Sequence, residues 1–399
     1  MEETEICVVG GGLAGFTAAL ALAGGGRSVT LVAPDPERPD RRTTALLEGS
    51  VRFLERLGVW AAIAPEAAPV RVQTLIDDTG RLFRAPYTAF HSAEIGLDAF
   101  GYNIANEVLV RELAAACKAT GRVELIASAV ATGEFGEFGC RLHLQDGHAI
   151  AAGIAVAADG RNSTLRKLAG IAAREWTYPQ SALVLNLSHD RPHHDTCFEF
   201  HGPNGPFTLV PLGPDFSGLV WVDAPSVIAQ AANAGADELE PLLERRMHSV
   251  LGKVRVVSDR QVFPLSALIA NRFGMPGLVL VGDAGHAMPP IAAQGFNLGI
   301  RDIELLAALV KTVAGVGPAF HRNRAADVNL RTYSVDLFNR SLLTSALPLQ
   351  FGRGVAMWAL GHVGPLRRAV MREGVAPGGE FRRLRERFDE FRAALRLGR

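Results

Sequence analysis

The run Gly10-Gly11-Gly12-Leu13-Ala14-Gly15 constrains this chain more than any other feature. It sits between the apolar tetrad Ile6-Cys7-Val8-Val9 and an Ala- and Leu-rich stretch over residues 13–23. The tetrad reads as a buried strand and the stretch as a helix, so the GxGxxG spacing falls on a strand-to-helix turn. Gly10 permits the tight turn, Gly12 lets the backbone approach a pyrophosphate, and Gly15 lets helix and strand pack closely. The helix start at Leu13 and Ala14 offers N–H groups and the positive end of the helix dipole to phosphate. Gly24-Gly25-Gly26 stops the helix and residues 29–32 form a second strand, which completes a βαβ unit on a parallel sheet. The acid that usually ends the second strand and takes the ribose is replaced by Ala33. Asp35, with Glu37 behind it, is the candidate substitute, unless backbone alone holds the ribose. This turn by itself does not separate NAD from FAD.

A second stretch does. Residues 277–281 form an apolar strand that ends in Gly282-Asp283, followed by the loop from Ala284 to Ala293 and a helix beginning near Gly295. A carboxylate just past a strand end can accept hydrogen bonds from the ribityl hydroxyls of a flavin, and NAD has no ribityl chain. The helix N-terminus can face the flavin N1–C2=O edge, which becomes negative on reduction. Pro289 and Pro290 stiffen the loop. A third element, Ala157-Ala158-Asp159-Gly160, ends another strand, and Arg166 follows the aspartate by seven residues. An Asp159–Arg166 pair would pin that turn beside the dinucleotide, or brace it as a purely structural ion pair.

Composition narrows the partners. The 399 residues are 48% apolar, and 41 basic residues balance 41 acidic ones. A neutral surface has no general grip on nucleic acid, so that class is set aside. Cys7, Cys117, Cys140 and Cys197 form no CxxC pair, which points to a reducing compartment. No basic leader precedes the first strand, and no run reaches the roughly 18–20 apolar residues of a membrane-spanning helix. The nearest, residues 341–365, is interrupted by Arg353. The expectation is a cytoplasmic protein, with peripheral contact to a membrane left open.

The hydrophobic pattern predicts helices over residues 44–57, 107–119, 238–251 and 297–313, and a helical C-terminal region. It predicts strands over 70–85, 123–158 and, as many short segments, 181–264. His286 reads as a loop-fixing residue without a proton to move. His189, Asp190, His193, His194, Asp195 and His201 cluster in sequence, but without metal-ligand spacing, so no metal is assigned. Phe381, Leu384, Phe388, Phe391 and Leu395 make one apolar stripe on a basic terminal helix, read as a helix docked on the body or as a surface contact.

The glycine turn and the two glycine-aspartate elements, in this order, resemble the group A flavoprotein monooxygenases. Arg41-Arg42-Thr43-Thr44-Ala45-Leu46, Leu57-Gly58-Val59-Trp60, Gly101-Tyr102-Asn103-Ile104 and the stretch from Ala293 to Asp302 look like the ubiquinone-biosynthesis hydroxylase branch, over residues 4–350. The resemblance implies an α/β fold: a Rossmann-like FAD-binding domain of the glutathione-reductase type, with an inserted mixed-sheet substrate domain and C-terminal helices. The corresponding boundaries are residues 1–69, 100–180 and 265–330 for the FAD domain, 70–99 and 181–264 for the substrate domain, and 331–399 for the helices. It implies hydroxylation of the ring of a polyprenyl-phenol through a C4a-hydroperoxyflavin, with FAD as cofactor and O2 as co-substrate. NAD(P)H, docking near Asp159 and Arg166, or a separate reductase supplies the electrons. Arg42 would lie over the flavin or its phosphates, and Asn106 and Arg111 would contact the pyrophosphate or ribityl region. Asp283 would hold the ribityl chain, and Pro290, Gln294, Gly295, Phe296 and Asn297 would line the flavin ring. Of these, Pro290, Gln294 and Gly295 form the loop nearest the chemistry, and no acid–base residue is assigned. The polyprenylated phenol is the expected partner; partners in a ubiquinone-biosynthesis complex, a membrane surface and an oligomer are left open. Two alternatives share this fold: a flavin-dependent reductase or dehydrogenase, and a hydroxylase of a soluble aromatic compound.

Overall fold

Ile6, Cys7 and Val8 are fully buried because their strand, Glu2–Val9, runs through the middle of an eight-stranded sheet. It pairs in parallel with Val29–Val32 on one side and with Ala149–Ala157 on the other. Val123–Ile126 continues the parallel order beyond the first neighbour, and Leu278–Leu280 beyond the second. The chain leaves the central strand in one direction and returns on its other flank, so a crevice opens at its carboxyl end, where open α/β sheets bind ligands. The helix Leu13–Gly24 is buried along most of its length, as its Ala- and Leu-rich sequence requires. The structure, a computed structural model, describes residues 2–35, 40, 42–80, 86–289, 293–310, 315–343 and 359–375.

A second sheet of nine strands is mixed, with Val72–Asp77 parallel to Thr196–Gly202 and the remaining pairs antiparallel. Along Ala173–His189 the side chains alternate. Leu183, Leu185 and Leu187 point to one face and join Leu209, Leu219 and Trp221 in a core with Ile228, Leu239 and Leu243 of the helices Pro225–Asn233 and Ala236–Arg246. A small third sheet sets Thr43–Leu47 and Ala68–Val70 on either side of Gly101–Ala105, all antiparallel.

Two expectations are corrected. Residues 44–47 are strand, and the helix starts only at Glu48. The leucine spacing suited a helix, but Thr43 and Thr44 are β-branched, and Leu46 backs onto Gly101 so closely that a methyl group there would lie 2.0 Å from the Leu46 carbonyl oxygen. The domain limits at 180, 264 and 330 fall inside the continuous elements Ala173–His189, Gln261–Ala270 and Val316–Leu343. The terminal stripe from Phe381 to Leu395 lies outside the described residues, as does most of 341–365. Among the described residues no helix is long and apolar enough to cross a membrane.

Candidate FAD site

Two of the three motif glycines of the turn are packed too closely for a side chain. Gly10 has φ of 126°, and a methyl group on it would lie 2.2 Å from the Ala158 carbonyl oxygen. A methyl on Gly15 would lie 1.7 Å from the Gly10 carbonyl oxygen. Gly12 is different: it caps the helix with ordinary negative φ, no side chain caps the helix beside it, and nothing lies within 4 Å of where its methyl would be. The space before Gly12 is therefore open, and the first N–H groups of the helix, at Leu13 and Ala14, lack intrahelical acceptors. Asp35 is exposed beyond the second strand, with Ala33 buried behind it.

The three motifs converge. Gly10 touches Ala158 and the Asp159 nitrogen. Gly282, at φ of 57°, sits with its missing Cβ 3.3 Å from the Ala14 Cβ, and Gly299 of the helix Gln294–Leu309 would place a methyl 3.3 Å from the Gly282 Cα. Asp283 follows on the turn Gly282–Ala284. Its side chain is open to solvent in a recess, yet surrounding protein pushes its carboxyl pKa up, against the pull of His286, Arg42 and Arg161. Arg42 therefore lies within electrostatic reach of Asp283. Its guanidinium forks onto Asp40 with two 2.7 Å hydrogen bonds, and Asn106 donates to the same carboxylate at 2.8 Å. Thr44 closes the cluster by donating to Asn106 at 2.6 Å.

The helix Gln294–Leu309 begins after Ala293, which is in the left-handed region at φ of 52° without a side-chain cap. Space opens around Gly295, and Phe296 is half-buried beside it. Gln294 is half-buried on the same turn, and Pro290 lies outside the described residues.

Three expected roles change. Arg166 does not pair with Asp159. It is buried, and donates to the Ala284 carbonyl at 2.7 Å and the Arg161 carbonyl at 2.8 Å. Asp159 instead accepts from the Leu165 N–H at 3.1 Å, and its second oxygen is buried without a hydrogen-bond partner. Arg111 is exposed and engaged with Glu66 and Glu112. Five helical steps turn it about 140° from Asn106, away from the cluster. Asn297 is buried and wholly committed to protein: it accepts from the Leu47 N–H and Ser50 hydroxyl, and donates to the Ala45 and Ala293 carbonyls. It clamps the helix start to Thr43–Leu47 rather than presenting its amide to a ligand.

Three histidines of the sequence cluster are bound to separate protein neighbours and not to one common centre. His189 bonds Ser217 and the Arg191 carbonyl, His193 the Gly213 carbonyl, and His201 Glu199. His286 faces Asp302 at 2.6 Å, in keeping with a loop-fixing role. Asp302 and its partner Arg324 had no assigned role in the sequence reading; the only signal was the place of Asp302 at the end of the glycine-rich stretch.

An extended dinucleotide with a flavin at one end fits these residues. The open space at Gly12 and Gly295, the unpartnered Asp159 oxygen and the recessed Asp283 beside Arg42 are the features such a group would fill. The sequence profile of the FAD binding domain family matches residues 3–332. The chain is 32% identical to the 3-demethoxyubiquinol 3-hydroxylase of Escherichia coli (strain K12), over 93% of this chain and 98% of that one. It is also 32% identical to the ubiquinone hydroxylase UbiL of Rhodospirillum rubrum, over 94% and 90%. Among solved structures it is similar in fold to p-nitrophenol 4-monooxygenase PnpA from Pseudomonas putida, with a TM-score of 0.77 at 20% identity over 94% of this chain and 98% of that one. The FAD complex of Klebsiella pneumoniae HpxO gives 0.76 at 18% identity, over 94% and 99%. The chain thus belongs to the FAD binding domain family and, within it, to the ubiquinone-biosynthesis hydroxylases: it is an FAD-dependent monooxygenase.

Proposed function

We propose that this monooxygenase hydroxylates the aromatic ring of a polyprenylated phenol on the route to ubiquinone. The observation that carries the reading is the near end-to-end match, at 32% identity, to two hydroxylases named for ubiquinol and ubiquinone. Bound FAD, reduced by NAD(P)H or a separate reductase, supplies the activation of O2; the protein binds, orients and keeps water out. Gly12 and the helix start at Leu13 would hold the pyrophosphate, and Asp283 the ribityl chain. The N-terminus of Gln294–Leu309 would face the pyrimidine edge of the ring.

The substrate sheet supports a neutral, apolar substrate. Val184 and Asn186 alternate with the buried leucines of their strand and so face away from the helices. Val184 is registered against Val220 and Asn186 against Gly218, with Val210 on the next strand over. This half-buried face of uncharged side chains suits a phenol with a hydrocarbon tail better than a carboxylated ring, which would need a fixed cation. A tail that lives in a bilayer also favours peripheral attachment. Leu330, Tyr333 and Leu337 are exposed on one side of Val316–Leu343, in keeping with such a surface.

The test is a deletion strain. It should lose ubiquinone and accumulate a prenylated phenol short of one ring hydroxyl, and the purified enzyme should place isotope-labelled oxygen from O2 on that ring. A strain with unchanged ubiquinone, or a product without label, rejects the proposal; the first outcome points to a soluble aromatic substrate, the second to a reductase.

A further inference from the structure

We infer that Asp302 is a positioning residue for the flavin, acting through the Gly282–Asp283 turn without touching the cofactor. This rests on the placement of FAD between the Gly10–Gly15 turn and Asp283. The Asp302 side chain is 1% exposed, so it faces inward. One of its oxygens accepts from the Gly282 N–H at 2.9 Å and faces His286 Nε2 at 2.6 Å; the other accepts from Arg324 Nε at 2.6 Å. Arg324, itself buried, reaches on to the Leu298 carbonyl at 3.3 Å and pairs with Asp327. A single carboxylate therefore joins the turn Gly282–Ala284, the strand His286–Ala287, the helix Gln294–Leu309 and the helix Val316–Leu343.

The joint sits where the cofactor-facing segments meet. Gly299 lies one turn before Asp302 and packs on Gly282, which packs on Ala14. Gly282 carries the backbone of Asp283, and the helix start carries Gly295 and Phe296. Fixing Gly282 to Asp302 thus fixes the ribityl anchor relative to the helix N-terminus. The Asp302 carboxyl is held below its ordinary pKa: burial pushes it up, but its interactions with His286, Arg324 and the Gly282 N–H outweigh that loss of water. The other ring nitrogen of His286 is buried without a hydrogen-bond partner, so Asp302 is the anchor that orients this imidazole. A buried charged cluster adds little net stability over a well-packed apolar one, but it demands one arrangement of its members. Here that arrangement sets the geometry of a ligand-holding turn.

The experiment compares the full-length parent with Asp302→Asn and His286→Phe, each stripped of flavin and titrated with FAD. Dissociation constants come from flavin fluorescence, visible spectra from the reloaded proteins and melting temperatures from the apoproteins. Asp302→Asn should weaken FAD binding about 10-fold or more, as loss of an outer partner does at other ligand-holding sites. The visible bands should shift, and His286→Phe should produce the same changes to a smaller degree. If Asp302→Asn does not fold, His286→Phe decides, since it leaves Arg324 on Asp302. An affinity and spectrum indistinguishable from the parent in the folded variants, even with a lowered melting temperature, overturns the inference and leaves a merely structural cluster. A parent that takes up no FAD would instead overturn the placement of the cofactor.

Discussion

The buried guanidinium of Arg166 donates a 2.7 Å hydrogen bond to the main-chain carbonyl of Ala284, across 118 residues of sequence. It ties the Asp159-Gly160 turn to the Gly282–Asp283 turn, so two elements that look independent along the chain share one support. The Arg161 carbonyl takes the other arm at 2.8 Å. Arg166→Met keeps the apolar stem but withdraws both donors. Each carbonyl left bare in the interior costs about 1–3 kcal/mol. Urea unfolding of the apoprotein should show that loss, and the purified variant should carry less flavin; a variant as stable and as yellow as the parent would contradict it.

Gly12 and Gly15 separate binding from folding. Nothing of the protein occupies the space a side chain at Gly12 would enter, and its φ of −90° is open to any residue. Gly12→Val should therefore melt like the parent apoprotein and remain colourless. Gly15→Val, whose first carbon would meet the Gly10 carbonyl oxygen at 1.7 Å, should not fold. Flavin absorbance and thermal melting of the pair check both statements; a yellow Gly12→Val would refute the placement of the pyrophosphate.

The proposed ribityl role of Asp283 predicts opposite effects of its replacement on stability and on FAD affinity. The protein crowded around its recess raises its carboxyl pKa, with His286, Arg42 and Arg161 pulling the other way. A carboxyl raised in the folded state favours the fold when protonated, and that contribution fades as pH climbs through the raised value. Asp283→Asn cannot ionise. Its apoprotein should be more stable than the parent at neutral pH, with the gap closing below about pH 4, while FAD affinity drops. Urea titrations at the two pH values, with flavin binding at neutral pH, test both halves.

Arg367 of the helix Gly364–Val375 binds Glu94 through two 2.6 Å hydrogen bonds and stacks 4.4 Å over the Phe90 ring. Its hydrogen bond holds the Glu94 carboxyl down from 4.5 to about 2. A depressed carboxyl stabilises above its ordinary pKa and loses that effect as pH falls through the lowered value. The attachment of this helix should therefore weaken between about pH 4.5 and pH 2, and Glu94→Gln should weaken it already at neutral pH. Limited proteolysis ahead of residue 364 reports both; cleavage that ignores pH and the substitution would contradict the attachment.

The parts legible in sequence were those where a backbone must pass close to something. Gly10, Gly12 and Gly15, and the strand ends at Asp159 and Asp283, have spacings that few arrangements other than a cofactor cleft explain. Side-chain partners were not legible in the same way. Arg166 was seven residues from Asp159, but its donors go to carbonyls, which every residue has and no spacing advertises. Arg111 shares a helix with Asn106, yet the turn of that helix carries it to Glu66 on another face. Asn297 has the polarity of a ligand-binding residue, and only its four protein partners reveal a clamp. Leu47, Val51 and Leu54 kept a helical interval across a strand–helix junction, because Leu47 ends an extended segment paired to Gly101. Asp302 stood in plain view without a role, since its partners Gly282, His286 and Arg324 come from three other elements.

The first twelve residues of the seventeen-residue strand Ala173–His189 pair with Gln261–Ala270 across an irregularity between Thr177 and Ser181, while the Ala270 N–H donates to the Gly285 carbonyl and Leu268 and Ile269 pair with the strand His286–Ala287. Chimeras between relatives therefore have poor seams at either ladder: a transplant of residues 181–264 would cut both strands of this ribbon. A graft that carries the ribbon whole, with junctions ahead of Ala173 and after Ala270, keeps its two strands in register.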